Sequence, residues 1–111
     1  MNIDEYTKLD ATGLAALVKA GEVTAGEVSE TAQAALDSVN ARLNVVAQRL
    51  ETPIDGAGDG PLAGVPFVVK DLVMHVAGVP SRSGTRLLAE GQFVPEQSSE
   101  LFERFRKAGL S

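Results

Sequence analysis

Val65-Pro66-Phe67-Val68-Val69, closed by Lys70-Asp71, is the stretch on which the fold class turns. Its apolar residues run on without alternating, the mark of a strand covered on both faces in a mostly parallel α/β sheet. Immediately before it, Glu51 to Gly60 combine Pro, Gly and Asp so densely that they read as a loop tolerant of insertion or deletion. Further back, Asn44 to Leu50 carry Val45-Val46-Ala47 and then Gln48-Arg49-Leu50, a short β-branched stretch that favours a second strand.

Upstream of these strands the periodicity is helical. Asp10 to Ala20 place Leu14, Leu17 and Val18 on one face, with Asp10 or Thr12 as N-cap and Gly21 as the ending residue. Thr24-Ala25-Gly26-Glu27 fits the capping box, and Val28, Ala32, Ala35, Leu36 and Val39 form the stripe of a second helix ending near Asn40. The two helices, joined by Gly21-Glu22-Val23, form a helical hairpin. Downstream, residues 72 to 97 read mainly as loop, with one helical turn around Arg86 to Glu90. Ser98 or Ser99 caps a last helix carrying Leu101, Phe102 and Phe105, which Gly109 ends. A helix after a strand normally leads into another strand, so the pattern predicts the amino-terminal piece of something larger.

Composition narrows the classes. The 111 residues hold at most one domain, and a chain of this size buries roughly 65% of its unfolded surface. Fifteen acidic against ten basic side chains leave a formal charge of −5, and the basic residues are scattered, which argues against direct nucleic-acid binding and anionic membranes. The absence of cysteine excludes disulfide scaffolds, thiolate metal sites and cysteine nucleophiles, and accords with a reducing compartment. The first residues lack the basic and apolar regions of a secretory signal, and no apolar run approaches the roughly 20 residues of a membrane span. The expectation is a cytoplasmic chain with no membrane partner.

Lys70 is the most informative candidate for chemistry. At the end of an apolar strand its ammonium either reaches water over a buried stem or sits desolvated at the end of a sheet, where a neutral amine would serve as general base. His75, the single histidine, shows no orienting partner in the sequence and reads as structural. Ser98-Ser99 reads as a helix cap before it reads as a nucleophile. Ser81, Ser83 and Thr85 either line a polar pocket or serve a turn. The Asp55 to Gly60 stretch lacks the endings of both phosphate loops and calcium loops, so no metal site and no cofactor are expected.

The span Gly60-Pro61-Leu62-Ala63-Gly64-Val65-Pro66-Phe67-Val68-Val69-Lys70-Asp71, followed by Gly78-Val79-Pro80 and Ser83-Gly84-Thr85, resembles the amino-terminal part of the amidase signature family. Phe105-Arg106-Lys107-Ala108-Gly109 is similar to the helix that precedes the family's next strand, and the resemblance covers nearly the whole chain. Leu72-Val73 stands where many members have Asn and a branched residue, and Gln97 where an Asp is common.

The resemblance implies an α/β fold around a mixed sheet, residues 1–42 being the helical hairpin of a single amidase domain and 43–111 the start of its α/β core. It further implies hydrolysis of linear amides by a Ser-cisSer-Lys triad, with Lys70 as the ultimate base and a small-molecule amide as substrate. Both serines belong to a downstream motif outside this sequence, so the 111 residues alone are expected to be inactive. The amidase subunit of a tRNA-dependent amidotransferase shares these motifs, and a non-catalytic interaction module is the rival from another class. Uncovered sheet edges would favour association between copies of the chain, a homo-oligomer.

Overall fold

Each amino-terminal helix starts where a side chain takes up an orphan backbone amide. In the computed structural model, which describes all 111 residues, Asn2 caps α1 (Ile3–Tyr6) and Glu5 reaches back to the Asn2 amide, closing a capping box. Asp10 caps α2 (Ala11–Ala20) through the Gly13 amide at 2.8 Å. Thr24 and Glu27 close a second capping box at the start of α3 (Ala25–Leu43), as the sequence predicts. That helix runs one turn beyond Asn40 and ends with Asn44 in the left-handed region. Two further helices follow, α4 (Arg86–Glu90) and α5 (Glu100–Lys107).

The chain divides into two compact units, one formed by Met1–Phe67 with Arg106–Ser111 and the other by Val68–Phe105. In the first, Leu14 and Ala15 of α2, Val28 of α3 and Val65 form the buried cluster. Val28 is completely enclosed, a burial worth about 1.5–3 kcal/mol relative to leaving the side chain in water. Tyr6, Leu9, Val18, Leu62 and Leu110 pack around this cluster. The Thr31 hydroxyl on α3 lies 3.0 Å from the Met1 carbonyl and 2.8 Å from that of Glu27, tying the amino terminus to the helix.

The expected α/β fold with a mixed sheet does not form. The chain is helix and coil, and its β-structure is a single parallel bridge between Val65 and Leu110. Ser111 donates its amide to the Val65 carbonyl at 3.0 Å, and Phe67 donates to the Ser111 carbonyl at 2.7 Å. Pro66 between them has no amide to offer, and the Val65 amide is spent on a turn to Leu62. Continuous apolar character in this run therefore does not report two covered faces: Val65 is 3% exposed but Val68 is 74% exposed. The second expected strand fails for a related reason. The Val46 amide donates to the Asn40 side chain at 3.0 Å, Arg49 pairs with Asp37 on α3, and Val45 and Leu50 remain exposed. Residues 44–50 are thus held back against the end of α3 by side-chain contacts, without a ladder.

The Pro- and Gly-rich loop 51–60 has no regular structure, but it is not slack. Ala57 donates its amide to the Arg106 carbonyl at 2.8 Å, and Leu62 donates to Ala108 at 2.7 Å. Backbones meet directly at two glycines: a Cβ on Gly56 would lie 2.4 Å from the Gly109 carbonyl carbon, and one on Gly60 would lie 2.4 Å from that of Ala108. Open ground remains at Gly58, where a Cβ would meet nothing.

In the second unit, residues 72–97 are mostly irregular, yet backbone bonds cross between their limbs. Gly78 donates to Pro95 and Ser81 to Phe93, each at 2.9 Å. Phe102 of α5 and Val76 are buried.

Candidate functional site

The Val65–Val69 run delivers Lys70 to the second unit, followed by a turn at residues 71–73. Lys70 is exposed and makes no hydrogen bond or ion pair. The ion pairs Arg49–Asp37 and Arg104–Glu100 lie at other exposed positions.

Its neighbour Asp71 is the most heavily bonded side chain of this unit. One carboxylate oxygen, Oδ1, accepts from the Arg82 amide at 2.9 Å, the Ser83 amide at 3.2 Å and the Ser81 hydroxyl at 3.2 Å. Burial is the largest single influence on this carboxyl and pushes it up. The amides of Arg82 and Ser83, the Ser81 hydroxyl and the Arg82 guanidinium together outweigh that push and hold Asp71 below its ordinary value.

The donors come from a tight turn. Thr85 donates its amide to the Arg82 carbonyl at 2.8 Å, and the central residues Ser83 and Gly84 both have positive φ, at 45° and 66°. Two left-handed central residues closed by this bond are the pattern of a mirror-image type I′ turn. The Thr85 hydroxyl then accepts from the Leu88 amide and starts α4. Of the two readings open for Ser81, Ser83 and Thr85, this geometry favours the turn. On the other side of Asp71, Val73 sits at φ 72°, which crowds a β-branched side chain against its own backbone.

His75 packs edge-on against Phe93 at 5.5 Å, and its carbonyl accepts from the Ser99 amide at 2.9 Å. Ser99 caps α5 through the Phe102 amide, and the Ser98 hydroxyl accepts from Ala77. Both serines are occupied as structural groups, and neither contacts Lys70.

Two depressions on the surface are lined by residues other than Lys70. One of about 330 Å³ lies between α2 and the glycine-rich loop, with Lys19 and Asp59 on its rim. The other, about 520 Å³ and shallow, lies along α1 and α3. No three metal-ligating side chains converge, and no helix is long and apolar enough to cross a membrane.

Sequence reasoning singled out Lys70 and passed over Asp71 as more than a motif position. The only available signal was a carboxylate followed ten residues later by Ser81-Arg82-Ser83-Gly84, and nothing in that spacing says the two will meet.

Residues 10–111 match the pattern of the Amidase family. A glutamyl-tRNA(Gln) amidotransferase subunit of Salinispora arenicola (strain CNS-205) is 38% identical over 95% of this chain and 23% of its own length. An acylamidase of Rhodococcus erythropolis is 32% identical over 91% of this chain and 23% of its own. Among solved structures, a 6-aminohexanoate cyclic dimer hydrolase superposes with a TM-score of 0.77 at 28% identity, over 92% of this chain and 22% of that one. The chain thus spans less than a quarter of the length of the relatives it matches.

Proposed function

This chain belongs to the amidase family, and from that premise we propose that the native gene product hydrolyses linear carboxylic amides with Lys70 as general base. In this reading the Lys70 amine accepts, through a relaying serine, the proton of a nucleophilic serine as that serine attacks the amide carbonyl. The tetrahedral intermediate collapses as the leaving amine takes the proton, and water then releases the acyl group by the reverse sequence. No serine of this chain is given the nucleophile's role, since Ser98 and Ser99 serve a loop and a helix start and Ser81 serves Asp71.

The observation that carries the reading is the uninterrupted family match across residues 10–111, which takes in the whole Gly60 to Asp71 stretch. It is supported by the state of Lys70, whose amine no carboxylate ties up in an ion pair. The test is Lys70→Ala in the native gene product, assayed on an aryl amide. Loss of turnover is expected, and hydrolysis at the wild-type rate would overturn the assignment.

A second reading is favoured by the 38% identity to the Salinispora protein: the amidase component of a tRNA-dependent amidotransferase. Glutamine-dependent amidation of glutamyl-tRNA by the native gene product and its co-purifying partners would select it over a stand-alone amidase.

A further inference from the structure

We infer that Asp71 is a positioning residue for Lys70, acting through the Ser81–Ser83 turn. Between Phe67 and His75 no backbone hydrogen bond reaches across to another segment, and the hydrogen bonds that tie this stretch to the rest of the unit are the three that Asp71 accepts. Lys70 has no partner of its own, so the place of its amine follows from the backbone that carries it. That backbone is fastened at the adjacent residue. A carboxylate accepting two main-chain amides and one hydroxyl is a charge-assisted anchor, stronger than a neutral contact of the same length.

The anchor also faces resistance on both sides. Val73, two residues on, holds a left-handed conformation that costs a β-branched residue energy, and Ser83 among the donors is left-handed as well. A relaxed chain would release both, and the Asp71 bonds keep the two limbs together. A base must lie within hydrogen-bond reach of the proton it takes, so loosening this anchor displaces Lys70 without removing it.

This inference rests on the assignment of Lys70 as base, and the experiment separates the two. Asp71→Ala, Asp71→Asn, Ser81→Ala and Lys70→Ala are made in the native gene product and assayed on an aryl amide, with hydrogen exchange read at the Arg82 and Ser83 amides. Asp71→Ala is expected to lower kcat about tenfold to a hundredfold with KM held, and to speed exchange at both amides. Asp71→Asn, whose amide oxygen still accepts, is expected to restore most of kcat. Unchanged kcat in Asp71→Ala, beside an inactive Lys70→Ala, overturns the positioning role alone. An active Lys70→Ala overturns the base assignment and the positioning role with it. Should Asp71→Ala not fold, Ser81→Ala and Asp71→Asn decide. A fall in kcat at constant KM in Ser81→Ala, exceeding that in Asp71→Asn, supports the role, and unaltered kcat in both overturns it.

Discussion

Gly60 and Ala108 lie backbone against backbone, so close that a single added carbon on Gly60 would stand 2.4 Å from the Ala108 carbonyl carbon and 2.4 Å from its oxygen. Neither atom is the end of a flexible side chain, so neither can step aside. Gly60→Ala is expected to destabilise the chain by about 1–3 kcal/mol, the usual cost of forcing extra volume into a packed site. Gly58→Ala, two residues away in the same loop, meets nothing within 4 Å and is expected to be neutral or slightly stabilising. Paired denaturant titrations check the contrast, and equal effects of the two substitutions would refute the close crossing.

Acid is expected to loosen the helix starts of α2 and α3. The Thr24 amide, and then its hydroxyl, hold the Glu27 carboxyl below its ordinary value, while the Thr12 hydroxyl and then the Gly13 amide do the same for Asp10. A lowered native value means that the unfolded chain binds protons first as pH falls, so folding loses ground there. The contribution is complete above the ordinary carboxylate range, about 4, and fades as pH drops through the native values. Thermal melts should be flat from neutral pH to about pH 5 and decline below it. Glu27→Gln should flatten part of that decline, and a melting temperature indifferent to acid would contradict the capping geometry.

Val73→Asn is expected to stabilise. Asn tolerates the left-handed region that a β-branched residue resists, and the exposed Val73 side chain gives up little burial. A gain of about 1 kcal/mol is expected, read as a higher midpoint in urea. A loss would show that Val73 does not occupy φ 72° in solution.

Lys70→Ala is expected to separate stability from activity. The side chain is exposed and unpaired, so its removal should shift the unfolding free energy by no more than about 0.5 kcal/mol. The same change in the native gene product should lower kcat by about a hundredfold or more, the usual worth of a positioned base. A variant that loses both together would mark Lys70 as structural.

Much of this fold was legible where the signal was local. The caps at Asp10, Thr24 and Ser99 follow from side chains within four residues of the amides they satisfy, and the ends of α2 and α5 from the glycines that follow them, Gly21 and Gly109, both with positive φ. The capping box at Asn2 and Glu5 carries the same kind of signal, and the brevity of α1 hid it. What the sequence misled on was β-structure, because a continuous apolar run records hydrophobicity but not whether partners exist to pair with it. Val65 is buried by helices, Val68 by nothing, and the two look alike in sequence. The site was half legible: Lys70 stands out at the end of its run, whereas the service Asp71 receives from Ser81, Arg82 and Ser83 arises from a loop closure that no local rule encodes.

The parallel bridge between Val65 and Leu110 has a consequence for the order in which a ribosome releases this chain. Leu14, Ala15 and Val28 are all synthesised before Val65, so its apolar contacts are waiting when it emerges. Its hydrogen-bonding partner is not, since Leu110 and Ser111 come after the whole of the Val68–Phe105 unit. At roughly 5–20 residues per second that interval is several seconds, far longer than the microseconds in which helices form. For that time the nascent Val65 is held by burial and by its turn to Leu62, with the Val65 carbonyl and the Phe67 amide bare to any other extended chain nearby.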